Sequence, residues 1–276
     1  MNFLNYKILN HIDSNNSNTL YEIIDDKYKK YTLKIFYPLL DNSSEKNFMD
    51  EVEFIDKVNS NDKYMFNYEM SFSVQPNDKN YSLFYDLCNK DSTYILEKTP
   101  IYCIIYNYVA TIKCTDPSIT IDYIPKLIED ILSYIQILHK HNIIGLNIQP
   151  SNILYDINQN KFIFIDYIQS INEFDPRFIH PIVIQLDKKS SDDYKVSDIY
   201  ALGVVCYLIV NHQYPYKNYG NNNMYPTGYI QSFSGYIYID RFIDLMINDN
   251  IIDSAYLLTK WIRIPDFIKL IKYKDK

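Results

Sequence analysis

The stretch Leu138–Tyr167, LHKHNIIGLNIQPSNILYDINQNKFIFIDY, decides the fold of this chain. After a polar turn it predicts a short strand at Ile153–Leu154, a polar tip at Asp156–Asn160, and a second strand at Phe162–Ile165, with Asp166 at its exit. A polar loop between a helix and a hairpin directs several side chains to one point. Apolar residues at i, i+3, i+4 spacing indicate the amphipathic helix that leads into it: Ile124, Leu127, Ile128, Ile131, Leu132, Ile135 and Leu138.

Composition sets the broad class of the protein. The chain has 276 residues, 47% of them hydrophobic, and a net charge of −7, so it can bury a sizeable core as one large domain or two lobes. The sequence contains no long basic run, so nothing in it indicates nucleic acid as a partner. The longest apolar run, Ile199–Val210, is too short to span a membrane. The excess of Asn, Ile, Tyr and Lys is typical of an AT-rich genome, such as that of some viruses.

Cysteine usage and the first residues bear on location. The four cysteines show neither metal-ligand spacing nor a disulfide framework, and the first residues, MNFLNYKILNHIDS, lack the apolar core of a signal peptide. We therefore expect a reduced, intracellular protein, cytoplasmic in location.

The central stretch resembles the catalytic core of the protein kinase family, which carries H-R-D-x-K-x-x-N in the loop and D-F-G after the hairpin. The matching segments here are Gly145–Asn152 and Asp166-Tyr167-Ile168. The resemblance implies a single two-lobed α+β domain. Residues 1–109 would form a small antiparallel β lobe with one helix, at about 45–58, and residues 110–276 a larger, mainly helical lobe.

The loop keeps the spacing of the family but not its chemistry. Asn147 stands at the position of the catalytic base, Gln149 at that of the phosphate-facing lysine, and Gly145 at that of the histidine. Asn152 and Asp166 are retained, and the resemblance implies that they would hold magnesium.

Glycine is scarce where the family needs it. The first of the five glycines is Gly145, so the segment between Tyr6 and Ile24 contains no G-x-G-x-x-G loop to approach phosphates closely. Two strands, Tyr6–Ile12 and Thr19–Ile24, joined by a polar turn are still expected there.

A lysine and a glutamate resemble the ion pair of the family. Lys34 lies on the predicted strand Tyr31–Phe36, like the lysine of V-A-I-K, and Glu51 lies on the predicted helix Ser44–Val58, with Glu53 as the second choice. Such a pair holds the lysine against nucleotide phosphates. The cofactors implied are ATP and magnesium, bound weakly if at all.

The next part of the chain is predicted as antiparallel sheet. Strand-like runs cover Met65–Val74, Tyr81–Leu87 and Ser92–Leu96, with a turn at Gln75–Asp78. The apolar run Ile101–Val109 predicts a buried strand that leads into a hinge.

A second specific match lies at Ser197–Val210, predicted as a buried helix because it is apolar on all sides. In kinases the matching helix is the core of the large lobe. By this resemblance, Asp198 would cap the helix and hydrogen-bond to the turn Gly145–Asn147. Two more helices are expected at Ile239–Met246 and Ile251–Trp261, and Pro181 matches the A-P-E proline without its glutamate.

The segment Tyr214–Tyr238 is rich in Tyr and Asn and carries three of the five glycines, which argues against a long helix. Tyrosine offers large, rigid contact area, so the segment is a candidate docking site for a protein partner. The competing explanation is that codon bias alone produced the high content of Tyr and Asn in this segment.

Two classes of function compete. In the first the chain is a pseudokinase, a protein-binding or allosteric regulatory module; in the second it is an active but atypical ATP-dependent Ser/Thr protein kinase. The changes at Asn147 and Gln149 favour the first. A structural protein on an unrelated α/β fold would require both specific matches to be accidental.

Overall fold

The computed structural model describes residues 2–3, 5–14, 18–38, 43–59, 68–89, 98–107, 111–165, 175–186, 188–218, 227–265, 269–270 and 272. The chain divides into two compact units, Met1–Val109 and Ala110–Lys276.

Unit 1 is built on an antiparallel sheet whose strands lie in the order β1-β2-β3-β4-β6-β5. Two helices of this unit lie in the described ranges, α1 (Ser43–Asn59) and α2 (Tyr81–Asn89). The strands are β1 (Asn2–Phe3), β2 (Tyr6–Ser14), β3 (Asn18–Ile24), β4 (Lys30–Phe36), β5 (Tyr68–Val74) and β6 (Ile101–Asn107).

The prediction of a strand at Tyr81–Leu87 is wrong, because this segment forms α2. Its buried residues Phe84, Leu87 and Cys88 recur at helical spacing and join the core cluster formed with Leu33 and other strand residues. Unit 1 therefore has a second helix in addition to the predicted one. The run predicted as a strand at Ser92–Leu96 lies outside the described residues.

The helix α2 covers the sheet face opposite to Lys34. Successive strand residues point to opposite faces, and Leu33 and Ile35 of β4 belong to the cluster that contains α2. The Tyr21 hydroxyl adds a hydrogen bond by donating to the Leu87 carbonyl at 3.1 Å. Lys34, between Leu33 and Ile35, is thereby left on the other face.

Unit 2 is mainly helical, with a small three-stranded sheet and a two-stranded hairpin. The strands are β7 (Thr111–Lys113), β8 (Ile153–Asp156), β9 (Lys161–Phe164), β10 (Tyr216–Asn218) and β11 (Thr227–Tyr229). The helices are α3 (Ile124–Lys140), α4 (Pro181–Gln185), α5 (Ser191–Asn211), α6 (Ile237–Asn248) and α7 (Ser254–Ile262).

The helix α3 and the hairpin β8–β9 form where the sequence predicts them. The apolar stripe of α3 is buried, and its buried Asp130 accepts from the Phe162 backbone N–H at 2.8 Å and pairs with Lys126 at 2.7 Å. This contact fixes the hairpin β8–β9 on α3, so the loop between α3 and β8, residues 141–152, is held at both ends.

The helix α5 begins earlier than predicted. Ser190 caps it: its hydroxyl accepts from the Asp193 backbone N–H, and the Asp193 carboxylate accepts from the Ser190 N–H. This capping box satisfies N–H groups that would otherwise be exposed at the helix start. Asp198 therefore lies inside the helix, and the prediction that it caps the helix is wrong.

We predict that Gly203→Ala destabilises the protein although alanine is the better helix former. A Cβ at Gly203, in the middle of α5, would lie 2.9 Å from Met246 Cβ and 3.0 Å from Ile247 Cγ1 of α6. The closest atom is itself a Cβ, so α5 and α6 must separate. Overpacking costs about 1–3 kcal/mol, against a propensity gain of about 1 kcal/mol.

Denaturant unfolding of the parent and Gly203→Ala proteins measures the net effect. The control is Ser191→Ala in the first turn of α5, where the side chain is exposed. A Gly203→Ala protein about 1 kcal/mol more stable than the parent would show that helix propensity prevails and that the α5–α6 contact is loose.

Candidate functional site

The predicted ion pair is present in unit 1. Lys34 Nζ on β4 lies 2.7 Å from Glu51 Oε2 and 3.0 Å from Glu51 Oε1 on α1. Lys34 is 3% exposed and Glu51 is 4% exposed, whereas the second choice, Glu53, is exposed. Burial of opposite charges together avoids the large cost of burying either alone.

A third residue, Tyr106, completes this group and was not predicted from the sequence. Its hydroxyl on β6 donates to Glu51 Oε1, and the residue is 8% exposed. One signal was available: Tyr106 lies near the end of the predicted buried strand Ile101–Val109, and a tyrosine hydroxyl inside a core requires a partner. The sequence did not indicate which partner.

The strands that flank the expected phosphate loop form as predicted. β2 and β3 pair antiparallel, with register shifts between Ile8 and Asn10 and between His11 and Asp13. The turn residues 15–17 lie outside the described residues. Because none of the positions from 1 to 144 is glycine, the backbone there lacks the freedom that close phosphate contact requires.

In unit 2 the polar side chains of the loop bind one another. Gln149 Nε2 donates to Asn147 Oδ1 at 3.0 Å, and Asn152 Nδ2 donates to the Asn147 carbonyl at 2.9 Å. Asn152 Oδ1 accepts from the Ser151 hydroxyl at 3.2 Å. Asn147 is 4% exposed, so its amide lies inside the loop.

This arrangement differs chemically from that of a base and a phosphate-binding cation. An amide oxygen does not take up a proton at neutral pH, and the oxygen of Asn147 already accepts from Gln149. Gln149 brings no positive charge. The loop can therefore position groups by hydrogen bonds, but Asn147 supplies no proton acceptor and Gln149 supplies no positive charge.

Asp198 of α5 anchors the backbone of the loop, as predicted. Its carboxylate accepts from the Leu146 N–H at 2.6 Å and the Gly145 N–H at 3.0 Å, and it binds His139 Nε2 at 2.9 Å. Asp198 is 1% exposed, and this burial raises its pKa even though the hydrogen bonds act to lower it. His139 of α3, which the sequence did not single out, thus becomes part of the anchor.

Gly145 has a physical reason to be glycine. Its φ is +72°, in the left-handed region, and a Cβ there would lie 3.1 Å from Tyr194 Cδ1. A side chain at this position would be strained by the backbone and would press on the tyrosine ring. The histidine of the family is thus replaced by a residue that suits this local geometry.

The end of the segment that follows the hairpin is also tied to α5. The His180 N–H donates to Ser197 Oγ at 3.0 Å, and Pro181 begins α4. Burial lowers the pKa of His180 to about 4, so its ring is neutral at pH 7.

Of the two expected magnesium ligands, Asn152 lies in the described part of the chain. Asp166 lies outside the described residues, whereas Asn152 is buried and its amide is engaged within the loop. Within the described ranges, no group of three or more His, Cys, Asp or Glu side chains is placed to hold a metal ion. The Lys34 ammonium is a group that suits phosphate, whereas the Asn152 amide already has partners within the loop.

Comparison with known proteins identifies the family. The family model "Protein kinase domain" matches residues 6–262, so the chain belongs to the protein kinase family. The search of the curated proteins found no match to the chain. The predicted fold class is confirmed as α+β and kinase-like, with an antiparallel sheet in the N-terminal region and helices in the C-terminal region. None of the helices in the described part is long and apolar enough to cross a membrane.

We predict that Asp198→Asn lowers the free energy of unfolding by about 1–3 kcal/mol. The neutral amide removes the cost of burying a charge, but its NH₂ group cannot accept from Gly145 or Leu146, and a buried N–H without an acceptor costs about this much. The control is Asp192→Asn in the first turn of α5, an exposed residue that pairs with Lys195 at 3.1 Å. Such a surface pair contributes at most about 1 kcal/mol.

Denaturant unfolding of both variants measures the loss in the free energy of unfolding that each substitution causes. Equal, small losses in the two variants would mean that the Asp198 anchor is not needed to hold the loop.

Proposed function

We propose that this protein is a catalytically impaired kinase-fold module, which regulates or binds other proteins and transfers phosphoryl groups weakly or not at all. The observation that carries the proposal is the hydrogen bond from Gln149 to Asn147. It joins the two positions that in the family hold a proton acceptor and a cation.

The losses in catalytic rate expected from the two altered residues support this proposal. General base catalysis contributes roughly 10²–10⁴ in rate, so a missing base costs about 3–5 kcal/mol of barrier. The missing cation is a separate loss in a reaction that depends on electrostatic stabilisation. Asp156 does not replace the base, because its carboxylate is buried and accepts from the N–H groups of Asn158 and Gln159 in the hairpin turn.

The alternative, an active but atypical Ser/Thr kinase, has support of its own. The Lys34–Glu51 pair has the geometry that orients phosphates, and Asn152 is retained. Positioning alone leaves a residual rate, so a direct assay separates the two proposals.

We predict no magnesium-dependent phosphorylation of generic protein substrates above background. Asn147→Asp alone does not produce the roughly 1–100 s⁻¹ typical of kinases, because the charge of the missing lysine remains absent. Asn147→Asp combined with Gln149→Lys raises the rate of phosphotransfer more than either change alone. Asn158→Asp at the exposed hairpin tip is the matched control for added negative charge.

The measurement is radiolabelled phosphate transfer with and without magnesium. Robust transfer by the parent, abolished by Asp166→Ala, would contradict the proposal and establish the active kinase.

Weak nucleotide binding through Lys34, Glu51, Asn152 and Asp166 is part of the proposal. These positions retain the residue types that hold phosphate and magnesium in the family. Against tight binding stand the missing glycines and the internal hydrogen bonds of Asn152.

We therefore predict only a small thermal shift with magnesium and ATP. Ligand equal to its Kd adds about 0.4 kcal/mol, whereas ligand at a hundred times its Kd adds about 2.7 kcal/mol. We expect a rise in Tm of about 1–2 °C at millimolar nucleotide. Lys34→Met abolishes this rise and Lys27→Met, at the exposed turn before β4, does not.

Each shift is measured against the same variant without nucleotide, since Lys34→Met also leaves Glu51 buried without its cation. A shift of several degrees at micromolar ATP would contradict weak binding. An unchanged Tm at saturating ATP would mean that these residues serve structure only.

A protein partner that docks on the segment Tyr214–Tyr238 remains part of the proposal. In its described part, Phe233 is 73% exposed, so its ring is accessible to a partner. Two of its tyrosines are engaged within the protein: Tyr229 donates to Asp244, and the Tyr214 ring lies 4.2 Å from the Arg177 guanidinium. Tyr225 lies outside the described residues. This distribution favours Phe233 over a tyrosine patch as the contact.

We also propose a reducing, cytoplasmic location. The four cysteines, Cys88, Cys103, Cys114 and Cys206, are buried free thiols. Burial raises the pKa of the Cys114 thiol to about 12, so this side chain is a core residue rather than a reactive group.

A further inference from the structure

Two tyrosines of β6 attach α1 to the sheet of unit 1. The Tyr106 hydroxyl donates to Glu51 Oε1 in the middle of α1. Nearer the start of the helix, the Tyr102 ring stacks on Phe48 with 5.0 Å between ring centroids, and its hydroxyl hydrogen-bonds Glu45. The two contacts differ in burial, because Tyr106 and Glu51 are buried whereas Glu45 is exposed.

Strand register explains why Tyr106 reaches the ion pair. In the antiparallel pair β4–β6, Thr32 lies opposite Tyr106 and Lys34 lies opposite Ile104. Residues two apart on a strand share a face, so the side chains of Tyr106 and Lys34 project from the same face of the sheet. Glu51 on α1 then receives hydrogen bonds from both strands.

The hydroxyl matters because of what Glu51 requires. A buried carboxylate is costly unless hydrogen-bond donors surround it, and Lys34 approaches both of its oxygens. The Tyr106 hydroxyl supplies a further donor to Oε1 that is neutral and comes from a different strand. The position of Glu51 is therefore defined by two strands, β4 and β6, rather than by the lysine alone.

We propose that Tyr106 is a positioning residue that holds Glu51, and with it α1, against the sheet. Lys34 is thereby kept paired with Glu51 and shielded from solvent. The inference rests on the proposed function only in that it concerns the same Lys34–Glu51 pair.

The test is the chemical reactivity of Lys34 in Tyr106→Phe, measured on the full chain without nucleotide. Phenylalanine keeps the ring and its packing and removes only the hydroxyl. Acetylation by an N-hydroxysuccinimide ester is followed by mass spectrometry at each lysine. We expect Lys34 to be labelled several-fold faster than in the parent, with Lys27, in an exposed turn, unchanged.

Hydrogen exchange gives a second measurement on the same samples. Amides in the middle of α1, around Glu51, should exchange several-fold faster in Tyr106→Phe, whereas those of α5 should not change. Tyr102→Phe is the matched control, from the same strand and face, and should leave Lys34 labelling near the parental rate. Glu51→Gln, which keeps the shape but removes the charge, should accelerate labelling at Lys34 further.

The outcomes separate this inference from the proposed function. Parental rates at both Lys34 and α1 in Tyr106→Phe would overturn the positioning role. Equal acceleration at every lysine would also overturn it, since it would show general loss of stability. Because no nucleotide or substrate is present, phosphotransfer by the parent would refute the proposed function and leave this result unaffected.

Discussion

The loop of unit 2 is anchored by the buried carboxylate of Asp198. It lies within α5 and binds two backbone N–H groups of the loop and His139 of α3. A buried carboxylate is tolerated only while its oxygens have donors, so α3, α5 and the loop are constrained together. The His139 ring extends this connection to α7, since its Nδ1 lies 3.4 Å from the Ser254 hydroxyl. The loop therefore keeps its course although its reactive side chains have changed.

This anchoring explains how the kinase fold is held independently of the residues at the two altered positions of the loop. The groups that hold the loop are backbone amides and residues such as Asp198, which do not take part in the reaction. The side chains of Asn147 and Gln149 bind each other and take no part in the Asp198 anchor. A fold and the chemistry placed on it are thus separable. Phosphotransfer activity has to be judged from those two side chains and not from the family.

Sequence patterns succeeded where the local signal and the tertiary environment agree. The stripe of α3 and the strand that carries Lys34 follow from periodicity, because each buries one face. The helix α5 follows from a run that is apolar on all sides, because the middle of the helix is buried on all sides. Periodicity failed for Tyr81–Leu87, a short apolar run that suits a strand or a helix equally. Contact with the sheet face opposite to Lys34 selected the helix, and that face is assembled from strands distant in sequence.

By itself the sequence determined the class of fold, the elements around the loop, and the residue types at Lys34, Glu51, Asn147, Gln149 and Asn152. Those follow from spacing along the chain, which is local information. Only the tertiary structure decided which groups meet: Tyr106 with Glu51, His139 with Asp198, and the Tyr194 ring with Gly145. Such partners lie between 49 and 59 residues apart. Their pairing depends on strand register and helix packing, which no pattern within one segment can specify.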